Sequence, residues 1–147
     1  MYQNILVPLD GSSDAKWSLS HARAIVKAFQ VEKVFLLRVL TPFSSIALSR
    51  LPAKKLDIVE QSSKAEAWKY LSEIAGILKK EGINAEPAVV TGKPAEEIVD
   101  FAESNSVDLI VIATRGQGKK KPYGRTTEKV MSSSPLPTVI VSDVLTQ

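Results

Sequence analysis

Cysteine is absent from this 147-residue chain and histidine occurs once. A disulfide framework and thiolate chemistry are therefore both excluded. Zinc is disfavoured for the same reason, because its usual ligands are missing. No apolar run approaches the length needed to span a bilayer, so no membrane partner is expected. The opening MYQNILVPLD has no basic start and runs straight into a strand pattern, so it does not read as a signal peptide. A cytoplasmic protein is the expectation. Internal repeats and low-complexity tracts are also lacking. The length suits one domain over residues 1–147, large enough to bury a core without covalent staples.

What is present begins with an uneven charge. The chain carries +3 overall, but residues 115–129 hold Arg115, Lys119, Lys120, Lys121, Arg125 and Lys129 against Glu128 alone. That stretch nets +5 and the remainder nets −2. A local positive patch points to an anionic partner.

Four runs rich in Val, Ile and Leu, at 4–9, 33–40, 107–113 and 138–141, lack the alternation of a half-exposed strand. They fit strands covered on both faces. A fifth at 84–90 alternates more and is the weaker strand. Helical spacing fills the gaps. After Asp10-Gly11-Ser12-Ser13, where a serine can cap exposed N–H groups, an apolar stripe recurs at Ala15, Leu19, Ala22, Val26 and Phe29. A long helix over 54–81 buries Ala67, Leu71, Ile74 and Leu78, with Gly82 placed to end it. A third opens at Gly92-Lys93-Pro94, proline suiting the first turn and Glu96 and Glu97 the positive end of the dipole. Ile98, Phe101 and Ala102 face inward. A fourth spans 126–133 and stops before Pro135 and Pro137. Strands alternating with helices imply a parallel α/β sheet joined by right-handed crossovers. The irregular stretch 41–53 is partly apolar (Phe43, Ile46, Leu48, Leu51), the pattern of a lid or partner surface that folds back.

Ligands of open parallel sheets bind beyond the C-terminal strand ends. Pro8-Leu9-Asp10-Gly11, Val39-Leu40 and the segment 113–127 lie there. Asp10 has two readings: a carboxylate accepting hydrogen bonds from ribose or adenine, or half of an Asp-Gly turn. The segment from Ala113 through Arg115, Gly116, Gly118, Gly124, Arg125, Thr126 and Thr127 combines glycines, cations and a helix start, all of which favour phosphate. A solvated basic loop is the alternative. A Walker P-loop ending in Lys-Ser/Thr is missing, and so is Gly-x-Gly-x-x-Gly after the first strand.

Several segments in one order resemble the universal stress protein family. They are Ile5-Leu6-Val7-Pro8-Leu9-Asp10-Gly11-Ser12, Gly92-Lys93-Pro94-Ala95-Glu96-Glu97-Ile98, Asp108-Leu109-Ile110-Val111-Ile112-Ala113-Thr114-Arg115-Gly116, and Glu128-Lys129-Val130 through Pro135-Leu136-Pro137-Thr138-Val139-Ile140-Val141. The resemblance implies an open five-stranded parallel sheet in the order 3-2-1-4-5 with helices on both faces, and a homodimer through the fifth strand. It also implies a regulatory or stress-response module that binds ATP or another adenine nucleotide, with Mg2+ if ATP is bound. Asp10 and Val39 match the family's adenosine contacts by position. The phosphate motif departs from the family's Gly-x-x-Gly, nine residues, Gly-Ser/Thr. Gly116 fits the first glycine, the second stands at Gly118, the loop before Gly124 is about two residues short, and Arg125 replaces the small hydroxyl residue. Thr126 or Thr127 can replace that hydroxyl; Arg125 can bind phosphate with its forked guanidinium or fill the pocket.

Other features read as structural. His21 has no companion acid or nucleophile at a recognisable spacing. Trp17 and Trp68 lie in helices. The lysine triplet has only Tyr123 as an aromatic neighbour and no groove-reading helix, so no nucleic-acid partner is expected. Two alternatives to nucleotide binding are a dimeric stress or interaction protein without nucleotide and a slow nucleotide hydrolase. The last ranks lowest, because Asp10 is the sole acid placed near the loop and no enzyme activity is expected.

Overall fold

A computed structural model of the chain describes residues 2–11, 15–42, 50, 52–113 and 125–141. Strands and helices alternate: β1 (Asn4–Pro8), α1 (Ala15–Phe29), β2 (Lys33–Leu40), α2 (Ala53–Lys80), β3 (Ala85–Thr91), α3 (Pro94–Ser104), β4 (Leu109–Ala113), α4 (Arg125–Ser133) and β5 (Thr138–Val141). The five strands form one parallel sheet in the order β3-β2-β1-β4-β5. Of the expected lid or partner surface at 41–53, residues 43–49 and 51 lie outside the described residues.

The apolar runs build two cores, one on each face of the sheet. Ile5, Val7, Leu9, Val34, Leu36, Leu109 and Val111 meet Leu19 and Ala22 of α1 and Leu71, Ala75 and Leu78 of α2. On the opposite face Leu6, Phe35, Leu37, Ile110 and Ile112 meet Ala95, Ile98 and Ala102 of α3 and Val130 of α4. Period-two alternation within continuous apolar runs divides the side chains between the faces.

Three local differences have physical causes. Phe29, expected on the buried stripe of α1, is 41% exposed because it ends the helix, where it packs edge-on against Tyr2 at 5.0 Å. The fourth strand starts at Leu109 rather than Val107, because Asp108 is used otherwise. Its Oδ2 accepts the backbone N–H groups of Gln3 and Asn4, both at 2.8 Å, and so fixes the entry to β1. The weaker run at 84–90 is a full strand of seven residues, paired along its length with β2 from Val34↔Ala85 to Leu40↔Thr91. It is an edge strand, which explains how it tolerates Pro87 and carries exposed Glu86.

Helix α2 ends as expected, with Gly82 at φ +84 supplying the left-handed turn. Its buried residues are confined to the second half, beginning at Ala67. That half lies on β2 and β3 and brings Tyr70 toward the C-terminal end of the sheet.

Candidate functional site

The strand order reverses between β1 and β4: β2 and β3 lie to one side, β5 to the other. In open α/β sheets the crevice that accepts ligands opens at this point, beyond the C-terminal strand ends. Proline helps to open it. The N–H of Leu9 bonds the Leu37 carbonyl of β2 at 2.8 Å. Alternation along a parallel strand would therefore aim the N–H of residue 8 at β4, and Pro8 has none. The β1–β4 ladder runs over Ile5↔Leu109 and Leu6↔Ile110, whereas β4 stays paired with β5 as far as Ala113↔Val141. The two central strands thus part company before they end.

The chain leaves β1 through buried Leu9 into exposed Asp10 and then Gly11. Gly11 has φ +84, a conformation that side chains other than glycine adopt only under strain. A Cβ at Gly11 would sit 3.5 Å from Nη1 of Arg38, so the guanidinium lies against this turn. Arg38 reaches it from β2, paired with Val89 of β3. It is a charged residue within the apolar run that follows Lys33 in β2. Val39, the next residue, turns to the other face and packs on the core beneath α3 and α4.

Tyr70 comes from α2. Its hydroxyl is buried and has no hydrogen-bond partner among the described residues. Burial raises its pKa; the Asp10 carboxylate raises it further, and the Arg38 guanidinium acts in the opposite sense. A phenol, a carboxylate and a guanidinium from three separate elements therefore share one electrostatic neighbourhood at the Asp10–Gly11 turn.

On the β4 side, Ala113 ends the strand half-buried. Thr127 lies in the first turn of α4 and is only 3% exposed. Its hydroxyl donates to the Ala113 carbonyl at 3.3 Å, pinning the helix start to the strand end. That proton is committed to the chain. Thr126 is half-buried and Arg125, the first residue of α4, is exposed. Thr127→Val keeps the shape and deletes the hydroxyl; the loss should cost about 1 kcal/mol of stability, read by denaturant unfolding. An unchanged midpoint would mean that this bond contributes nothing.

The structure thus brings Pro8, Leu9, Asp10, Ala113, Arg125, Thr126 and Thr127 to one end of the sheet, with Val39 on the neighbouring strand. Arg115, Gly116, Gly118 and Gly124 lie outside the described residues. Arg38 and Tyr70 are the residues that sequence reasoning passes over. The available signal is the arginine itself: a charge near the C-terminal end of a strand covered on both faces needs a polar reason to be there. Tyr70 gives none, since it stands beside Leu71 in a helical core pattern.

The sequence profile of the universal stress protein family matches residues 1–142. The chain belongs to the universal stress protein family. Among its relatives, the universal stress protein MJ0577 of Methanocaldococcus jannaschii is 31% identical, over 96% of this chain and 95% of that protein. The universal stress protein YxiE of Bacillus subtilis is 30% identical over 96% of this chain and 99% of its own length. The solved structure of MJ0577 superposes with a TM-score of 0.83, covering 97% of this chain and 96% of that one at 30% identity. Two more distant universal stress proteins share the fold and were solved with adenine nucleotides. One, from Archaeoglobus fulgidus, is in complex with dAMP (24% identity, TM-score 0.66, 95% of this chain and 98% of that one). The other is in complex with cAMP (22% identity, TM-score 0.71, 96% and 97%). The strand order 3-2-1-4-5 implied by the resemblance is the order of this universal stress protein's sheet. No helix among its described residues is long and apolar enough to cross a membrane.

Proposed function

We propose that this universal stress protein is a regulatory module that binds ATP or another adenine nucleotide in the crevice between the C-terminal ends of β1 and β4. The observation that carries the reading is the early end of the β1–β4 ladder at Leu6↔Ile110, beside a proline that cannot extend it. The opened strand ends lie at the reversal of strand order, flanked by Asp10 on one side and the start of α4 on the other. Family relatives of the same fold hold dAMP and cAMP, which supports an adenine nucleotide as the ligand class.

Each part of the site has a task in this reading. Asp10 accepts hydrogen bonds from the nucleoside. Val39 supplies apolar surface. The N-terminus of α4 faces the phosphates with its positive dipole end. Arg125, exposed on its first turn, adds a guanidinium that grips phosphate in a fork. The basic segment that precedes α4 raises the local concentration of the polyanion. If ATP is bound, Mg2+ arrives on the phosphate oxygens. The signal is a population shift: the ligand favours one state of a surface that partners read. β5, which closes the sheet on the β4 side, is the edge proposed for pairing with a second copy.

Calorimetric titration of the purified protein with Mg-ATP tests the reading. Saturable heat is expected, with a rise in melting temperature of several degrees at millimolar ligand. The absence of both heat and thermal shift at that concentration would refute it.

A further inference from the structure

A buried hydroxyl without a partner is uncommon, because it surrenders its water on folding and gains no bond in exchange. The Tyr70 hydroxyl is such a group among the described residues. Its setting shows what it suits. The Arg38 guanidinium lies against the Asp10–Gly11 turn, 3.5 Å from where a Cβ at Gly11 would sit. The Asp10 carboxylate acts on the same phenol from the other sense. The phenol offers a proton, the guanidinium offers only protons, and the carboxylate takes only protons. A bare phosphate would suffer repulsion from Asp10. A sugar hydroxyl does not: it gives its proton to a carboxylate and accepts one from a phenol. Such a group matches the cluster in both directions.

We propose that Tyr70 is a ligand-contacting and specificity-determining residue of the site, donating its O–H to a ribose hydroxyl whose own proton goes to Asp10. This rests on the nucleotide reading above. The site then favours a nucleotide with an intact ribose diol over one lacking the contacted hydroxyl. Arg38 is a positioning residue in this scheme. It braces the Asp10–Gly11 turn from β2 and makes no claim on the phosphates.

The test titrates wild type and Tyr70→Phe with ATP, 2′-deoxy-ATP and 3′-deoxy-ATP, and records the melting temperature of each protein without ligand. Wild type should bind ATP more than tenfold more tightly than one of the two deoxy analogues, because that analogue loses both the bond from Tyr70 and the charge-assisted bond to Asp10. Tyr70→Phe should bind ATP about tenfold more weakly, the factor a single neutral hydrogen bond carries, and keep only the part of the preference that Asp10 supplies. Its unliganded melting temperature should stay the same or rise, since an unsatisfied polar group has been removed. Equal ATP affinity in the two proteins would overturn the role of Tyr70 and leave the nucleotide reading intact. A fall of several degrees in the unliganded variant would also overturn it, by showing that the hydroxyl has a structural bond. Absence of ATP binding by wild type would remove both readings together.

Discussion

Asp10→Ala is expected to weaken ATP binding by tenfold to a hundredfold while leaving the fold almost as stable as before. Asp10 has two separable roles, in the turn and in the ligand site. Asp10 is exposed, so its removal opens no cavity and strands no buried apolar surface. The polar interactions of an exposed carboxylate contribute about 0–1 kcal/mol, so the fold loses little. In the ligand site the balance differs. A hydrogen bond to a charged acceptor is worth about 1.5–3 kcal/mol, which is roughly tenfold to a hundredfold in affinity. The turn should survive, because Gly11 supplies the left-handed conformation and Leu9 anchors the strand end to Leu37. Titration by calorimetry, with circular dichroism melts as the control, reads both effects. A variant that binds ATP like wild type would show that Asp10 only turns the chain.

Leu71→Ala should act in the opposite way, lowering stability by about 2–5 kcal/mol. Leu71 is fully buried at 0% exposure and sits where α2 meets the sheet, in the core that includes Val34, Leu36, Ala75 and Leu78. Truncation removes the transfer energy of three carbons and leaves a cavity between elements too regular to collapse into it. A domain of this size has about 5–15 kcal/mol in all, so the variant should unfold at a much lower urea concentration. The same change should disturb nucleotide binding, since Tyr70 is its neighbour on α2 and would lose its fixed backing. A shift in the urea midpoint corresponding to less than about 1 kcal/mol would mean that the α2 contact is looser than its burial implies.

The architecture was legible because the strands of this fold are covered on both faces. β1 and β4 announce themselves as Val, Ile and Leu runs and β2 as an apolar run interrupted only by Arg38, and the helices between them fix the parallel connection. β3 was fainter because an edge strand answers to one neighbour only; Glu86 and Pro87 are affordable there and blur the pattern. Phe29 misled for another reason. Helical spacing says which face a residue shares, but not where the core ends along the axis.

The site was legible only where chemistry is local. Asp10-Gly11 and the glycine-and-cation segment are contiguous motifs, and each could be read in place. Arg38 and Tyr70 reach the same turn from 28 and 60 positions further along the chain, through sheet pairing and helix packing. No local window contains both. The Thr127 bond to Ala113 is of the same kind: a threonine at a helix start suggests a cap or a phosphate ligand, and only the fold places a strand-end carbonyl beside it.

Crystals of the protein grown with Mg-ATP offer the most direct measurement. Nucleotide density is expected between Asp10 and the first turn of α4, with a ribose hydroxyl beside Tyr70. A closed, empty gap between the ends of β1 and β4 under saturating ATP, or nucleotide bound elsewhere on the surface, would contradict it.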